Sequence, residues 1–290
     1  MTVHWIVGVD GSQESNVALD WALQQADGRE VDVEVLHAAP APVTSRFVAS
    51  VTRREPPAPS EIDDAVERLE AATADIAAGR AVEHRLVQGS PGRSLVDAAA
   101  DADLLIVGRH GTGGWRHSLG SVSRYCVTHS TTPVIVIPPT WTSGPISRAV
   151  VGFDGSENAT AALKWASSFL DEDVDLRAVV AIEVAPWLQE DIVHVRLGEE
   201  LQEQEHRLLG LLEAADPKGL ARPEIVVRGA RAALSRAADT ADLVVLGATG
   251  SGRIGTAFTG SVSTWMLDGS PIPVAVVRNT PIEPSQEGTD

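Results

Sequence analysis

Two short turns hold the residues best suited to chemistry. Asp10-Gly11-Ser12 follows an apolar run and precedes a helical stretch. A carboxylate there can accept hydrogen bonds from a ribose hydroxyl or a base amine, whereas a plain turn with a helix cap would use the same residues structurally. The second turn is richer in glycine. Gly108, Gly111, Gly113 and Gly114 follow the run DLLIV, and Gly120-Ser121 opens the next helix, with Ser123 in its first turn. Glycine lets the backbone approach a polyphosphate closely, and free N–H groups at a helix start, with the Ser hydroxyls, donate to anionic oxygens.

Both turns occur twice, because the chain is written twice. Gly8 to Ala22 aligns without gaps on Gly152 to Ala166, with eight of fifteen positions identical. ADLLIVGRHGTGG from Ala102 answers ADLVVLGATGSGR from Ala241, GSVS from Gly120 answers GSVS from Gly260, and PVIVIP from Pro133 answers PVAVVR from Pro273. The duplicated unit is roughly 140 residues, a whole domain and far longer than a solenoid repeat. A β–α loop of incidental composition accounts poorly for a glycine set present in both copies.

The elements that must position these turns alternate. VHWIVGV, VDVEVLHA, AVEHRLV, DLLIVG and PVIVIP are short, largely apolar runs bounded by turn residues, the pattern of buried strands. The first helix sets Ala18, Trp21 and Ala22 on one face, repeated as Ala162, Trp165 and Ala166; Ser12 or Ser156 caps it, with Glu14 or Glu157 in its first turn. A second helix is expected from Ser60, with Ile62, Val66 and Leu69 on a face. Strands alternating with helices predict two tandem doubly wound (Rossmann-like) α/β domains, each a five-stranded parallel sheet flanked by helices. The domains are expected at 1–139 and 148–279, joined by a Pro-, Gly- and Ser-rich linker at 140–147 and followed by a polar tail at 280–290. Ala39 to Pro59, with Arg46, Arg53 and Arg54, is a long connection that reads as a surface loop or as a lid.

Composition narrows the partners. The 290 residues carry a net charge of −17, with 11 basic against 18 acidic residues through position 145 and 12 against 22 beyond it. Neither half is a basic arm, so a diffuse grip on nucleic acid or an anionic membrane is not expected. Cys126 is the only cysteine, no CxxC or HExxH occurs, and no apolar run approaches the roughly 18 residues of a membrane span, which together read as a cytoplasmic protein without a secretion signal. Cys126, beside Tyr125, is expected as a buried small hydrophobe. The only lysines, Lys164 and Lys218, stand in no GxxxxGK context, which excludes a P-loop, and no Gly-x-Ser-x-Gly elbow is present. Gly250-Ser-Gly252-Arg-Ile-Gly255 is a literal GxGxxG, but it follows the fourth strand, lacks an acid about 20 residues on and has no full copy in the first half.

The arrangement Gly-x2-Gly-x9-Gly-Ser after the fourth strand, paired with Asp-Gly-Ser after the first, resembles the ATP-binding pattern of universal stress proteins in their tandem form, from about Val3 to Val277. The second copy matches at Gly247, Gly250, Gly260 and Ser261 with nine residues between Gly250 and Gly260. The first matches at Gly108, Gly111, Gly120 and Ser121 with eight, one residue short. The resemblance implies that Asp10 and Asp154 hold the adenosine with Val9 and Phe153 beside it, and that Ala38 and Ile182 contact adenine. It further implies that Gly108, His110, Gly111, Gly120, Ser121, Val122 and Ser123 line the phosphates in one copy. Gly247, Thr249, Gly250, Gly260, Ser261, Val262 and Ser263 would do so in the other.

Implied with these are ATP carrying Mg²⁺, an adenine nucleotide as the partner, and a regulatory role in the stress response. PVIVIP and PVAVVR are implied to pair as last strands in an internal pseudo-dimer, with two chains associating as a homodimer. His110 and His117 have no carboxylate or nucleophile pattern beside them, so efficient hydrolysis is not expected. Arg109, His110, Arg116 and His117 in the first loop, against Arg253 alone in the second, predict unequal affinities. A slow ATPase, a binder of AMP or cyclic AMP, and a scaffold that binds no nucleotide are the alternatives. Trp115, in the first loop, reads as packing or as a fluorescent reporter of binding.

Overall fold

The computed structural model describes residues 2–39, 67, 70, 71, 73–77, 80, 82–111, 118–142, 144–182, 194–216, 218–250 and 260–279, with the backbone only at 39 and over 194–200. The helix start at Ser60 with Ile62, Val66 and Leu69, the connection over 40–59, and the polar tail lie outside the described residues. So do Gly113, Gly114, Trp115, Arg116, His117, Gly252, Arg253 and Gly255. The chain divides into Met1–Cys126 with Val134–Gly144, and Val127–Pro133 with Pro145–Asp290.

The first unit contains β1 (Val3–Gly8), β2 (Val31–Ala39), β3 (Glu83–Gln88), β4 (Leu104–Gly108) and β5 (Val134–Ile137), with α1 (Gln13–Ala26), α2 (Pro91–Ala99) and the start of α3 (Ser121–His129). Its strands run in the order β3-β2-β1-β4-β5 and every pairing is parallel. β4 and β5 are buried at every position, as strands covered on both faces must be. The strand order reverses between β1 and β4, the place where a doubly wound sheet opens a crevice beyond its carboxyl ends.

Two glycines show how closely the helices cover the sheet. Gly8 pairs with Val107, and a Cβ on Gly8 would lie 3.0 Å from the methyls of Leu95 on α2. Gly108 faces the other side, where its Cβ would lie 2.8 Å from the backbone oxygen of Glu14 on α1. Successive strand residues point to opposite faces, so α1 and α2 cover opposite faces.

The second unit repeats the plan with β6 (Arg148–Gly152), β7 (Asp175–Ile182), β8 (Ala221–Val227), β9 (Leu243–Gly247) and β10 (Val274–Val277) in the parallel order β8-β7-β6-β9-β10. Its helices are α4 (Glu157–Phe169), α5 (His194–Ala215), α6 (Ala230–Ala238) and α7 (Ser261–Gly269). Gly152 faces Leu234 of α6, and Gly247 faces the backbone of α4 at Asn158.

The first helix of each unit starts as the sequence predicts. Ser12 Oγ accepts the N–H of Ser15 at 3.1 Å, and Ser156 Oγ accepts that of Ala159 at 3.2 Å. The preceding turn needs φ of +80° at Gly11 and +76° at Gly155, which glycine adopts without a Cβ clash. The two helices differ in one respect. Ala18, Trp21 and Ala22 are all buried, but Trp165 is only half-buried beside fully buried Ala162 and Ala166. Its ring instead stacks on Phe169 one turn later, with centroids 4.6 Å apart, so an aromatic neighbour on the helix surface replaces the core as its packing partner. Among the described residues no helix is long and apolar enough to cross a membrane.

Candidate functional site

In the first unit a cavity of about 610 Å³ opens at the carboxyl ends of β1, β2 and β4, on the crevice that the strand reversal creates. Val9 and Asp10 leave β1, Ala38 stands at the end of β2, and Gly108, His110 and Gly111 form the loop after β4. Gly120, Ser121, Val122 and Ser123 open α3 on the same cavity. Leu36, Leu95 and Val107 supply the apolar wall. His37, a further lining residue, donates from Nδ1 to the Val9 carbonyl at 2.6 Å and so ties β2 to the exit of β1.

The Asp10 carboxylate is held in place. Its Oδ1 accepts the N–H of Ser12 at 3.0 Å, and the Asp10 N–H donates to Ser15 Oγ at 3.3 Å. Oδ2 lies so close to Gly111 that a Cβ there would collide with it. The glycine of the loop after β4 therefore makes room for the carboxylate of the turn after β1. Across the cavity α3 begins, its first intrahelical bond running from Arg124 N–H to Gly120 O. The N–H groups of Ser121, Val122 and Ser123 have no acceptor within the helix and carry the positive end of its dipole.

The second unit encloses about 520 Å³ in the same place. Phe153, Asp154, Gly247, Thr249, Gly250, Gly260, Ser261, Val262 and Ser263 all line it. Asp154 Oδ1 accepts the N–H of Ser156 at 3.0 Å, and a Cβ on Gly250 would stand 2.6 Å from Asp154 Oδ2. α7 begins at Gly260, a cap without a side chain to satisfy the first N–H groups. The Thr249 hydroxyl accepts from Asn158 Nδ2 at 2.6 Å, and Asn158 Oδ1 accepts the N–H of Asn279 at 2.8 Å.

Ile182 is not where the sequence reading puts it. Gly8 pairs with Leu36 and Gly152 with Val179, so the counterpart of Ala38 is Ala181, and Val179 and Ala181 line the cavity. Ile182 is one residue further, and in a strand that single step turns its side chain to the opposite face, where it is fully buried.

The serine hydroxyls also need correction as donors to an anion. Ser123 Oγ donates to Gly108 O at 2.7 Å and Ser263 Oγ to Gly247 O at 2.8 Å, which commits the one hydroxyl proton of each to the protein. These two residues fasten the helix start to the strand end. The Gly120 and Gly260 N–H groups are committed as well, to Arg109 O at 2.9 Å and Ala248 O at 2.6 Å. Sequence reasoning missed Leu95 and Leu234, which wall the two cavities from α2 and α6. Their signal is indirect: Gly8 and Gly152 lack side chains where these leucines pack.

Each cavity thus joins an apolar slot, a pinned carboxylate and a helix start with open N–H groups, an arrangement able to hold a flat ring, hydroxyl groups and an anion together. The Universal stress protein family profile matches residues 1–138 and again 145–278. This chain belongs to the universal stress protein family. A universal stress protein of Mycobacterium tuberculosis strain H37Rv is 30% identical over 293 residues, covering 95% of this chain and 96% of the relative. A second from the same strain is 29% identical over 297 residues, covering 95% and 97%. The crystal structure of a universal stress protein from Archaeoglobus fulgidus has the same fold, with a TM-score of 0.63 at 16% identity, over 97% of this chain and 100% of that one. The matches span both units, so the tandem arrangement of this universal stress protein is shared with relatives of similar length.

Cys126 takes no part in either site. It is buried on α3, its thiol faces Gly92 O at 3.9 Å, and burial pushes its pKa up to about 12, leaving it a protonated, inert hydrophobe.

Proposed function

We propose that this universal stress protein binds ATP at one cavity in each unit and serves the cell, in the cytoplasm, as a nucleotide-dependent regulator with little or no turnover. The adenine takes the apolar slot beside Val9 and Ala38, or Phe153 and Ala181. The ribose hydroxyls donate to Asp10 or Asp154. The phosphates lie against the loop after β4 or β9 and the open N–H groups of α3 or α7.

The observation that carries this reading is the pinned carboxylate facing a glycine in both units, opposite a helix start with no side-chain cap in the second. A carboxylate alone would repel a polyphosphate; set against apolar walls at one end of the cavity it suits the neutral, hydroxyl-rich part of a nucleotide. Among the described residues no cluster of three His, Cys, Asp or Glu could hold a metal ion. Mg²⁺ in this reading is held by the nucleotide's own phosphates.

The test is equilibrium binding of Mg-ATP to the full chain and to Asp10→Asn/Asp154→Asn, with phosphate release followed alongside. The reading predicts saturable binding that weakens at least tenfold in the double variant, with phosphate release no faster than the blank. Unchanged binding in the variant refutes the assigned site, and release that vanishes with the variant makes the protein an ATPase.

A further inference from the structure

The turns that carry Asp10 and Asp154 share a backbone but not a brace. In both, the serine N–H donates to the aspartate carboxylate at 3.0 Å. In the first unit the buried Ser15 hydroxyl adds a second tie. Its Oγ accepts the Asp10 N–H at 3.3 Å and donates to Ser12 O at 3.0 Å, so the backbone of the aspartate is fastened to α1. Ser15 aligns on Ala159 in the second unit, and alanine has no hydroxyl to make this tie.

A different element leans on the second turn. Leu208, Leu211 and Leu212 of α5 follow the spacing of three and four that builds an apolar stripe on a helix. Two of them reach the turn: a Cβ on Gly155 would lie 2.8 Å from Leu211 Cδ1 and 3.1 Å from Leu208 Cδ2. Leu208 is buried, but Leu211 is 40% exposed, so its contact with Gly155 lies at the protein surface and is not core filling. Among the described residues nothing stands within 4 Å of a Cβ on Gly11, the matching glycine of the first unit.

We propose that Leu211, with Leu208 beside it, is a positioning residue for the second cavity, where the methyl groups of α5 replace the missing Ser15-type hydroxyl and hold the Asp154 carboxylate ready for the ribose hydroxyls. The proposal rests on the nucleotide reading above and adds that the ribose end of the second cavity depends on α5. Gly155 sits at φ +76° and has no side chain of its own to anchor it. Glycine has the most backbone freedom to lose, and packing against it removes part of that freedom before a ligand arrives. Binding then has less ordering to impose. A displacement of α5 thereby reaches the ribose subsite of the second cavity, whereas the brace of the first turn lies within α1.

The experiment compares Mg-ATP with the Mg complex of 2′,3′-dideoxy-ATP, which lacks both ribose hydroxyls, by titration calorimetry. The full chain carries Asp10→Asn, which silences the first cavity on the reading above and leaves the second to be measured. The ratio of the two affinities reports the bond between the ribose hydroxyls and Asp154. It is blind to any loosening that weakens both nucleotides alike.

The expected ratio in this background is about tenfold or more in favour of ATP. Leu211→Ala lowers it at least about threefold, because a hydrogen bond weakens steeply once its distance and angle leave the productive range. The affinity for the dideoxy nucleotide and the melting curve stay as they were. Leu211→Met, which keeps an apolar side chain of similar volume, retains the ratio. Ala159→Ser added to Leu211→Ala restores it, by supplying the hydroxyl that Ser15 supplies in the first unit. With Asp154→Asn as the background, Ser15→Ala lowers the ratio of the first cavity and Leu211→Ala does not.

An unchanged ratio in Leu211→Ala, including equal losses for both nucleotides, overturns the inference while leaving the nucleotide reading standing. A ratio of one before position 211 is altered overturns the ribose assignment together with the inference. No Mg-ATP binding in the unmodified chain overturns the nucleotide reading and the inference alike.

Discussion

Gly247 and Gly250 stand three residues apart in one loop, yet alanine at each should fail in a different way. A Cβ on Gly247 would lie 2.7 Å from the carbonyl carbon of Asn158 and 2.8 Å from the N of Ala159. Both atoms are backbone of α4, the helix that covers β9. Ordinary contact starts near 3.4 Å, so strand and helix must separate by roughly 0.7 Å in an interior packed to crystal density. Overpacking of this kind costs about 1–3 kcal/mol. For a unit of this size, each kcal/mol lowers the melting temperature by roughly 2–8 °C, so Gly247→Ala should melt at least about 2 °C and up to about 24 °C lower.

At Gly250 the atom in the way is Asp154 Oδ2, the free end of a side chain that can rotate. Gly250→Ala should therefore melt within about 2 °C of the unmodified chain. On the proposed reading the displaced carboxylate would lose its bond to the ribose, worth about 1.5–3 kcal/mol for a charged acceptor, or roughly 10- to 150-fold in the affinity of the second cavity. Scanning calorimetry of the apo chain and titration calorimetry with Mg-ATP read the two effects separately. A Gly247→Ala chain as stable as the original, or a Gly250→Ala chain that melts early and binds normally, refutes the reasoning.

Three further outcomes follow from the structure. Cys126, buried and with its thiol pKa near 12, should not react with an aromatic disulfide at pH 8 or pH 9 in the folded chain and should react fully in denaturant, as read by absorbance. Ser12→Ala and Ser156→Ala each remove the bond to an N–H in the first turn and should lower stability by about 1 kcal/mol in urea unfolding. Ala181→Phe should fill the second cavity and abolish its Mg-ATP binding, while Ile182→Val should leave binding intact and cost about 0.5–1.5 kcal/mol of stability.

The parts of the site legible in the sequence are those whose backbone demands a residue type. Asp10-Gly11-Ser12 and Asp154-Gly155-Ser156 stand out because a positive φ calls for glycine and a helix start for serine. Gly108 and Gly247 stand out because a helix backbone lies against them. The duplication then tells these residues from incidental turn composition. Side-chain direction was harder to read. β7 is apolar nearly throughout, so no alternation marks which of Ala181 and Ile182 faces the cavity, and only the register with β6 decides. Ser123 and Ser263 occupy the expected positions, but the nearby carbonyls of Gly108 and Gly247 take their protons, a contact 15 or 16 residues away that spacing alone does not reveal. Trp165 copies Trp21 in sequence and not in burial: it stacks on Phe169, whose counterpart in the first unit is Gln25.

The central claim is one nucleotide site in each unit, and native mass spectrometry of the nucleotide-stripped full chain with excess Mg-ATP counts them directly. The account predicts two successive ATP mass increments per chain, one of them lost in Asp10→Asn, the other in Asp154→Asn, and both in the double variant. A chain that takes up no ATP, or that keeps both increments in the double variant, contradicts it.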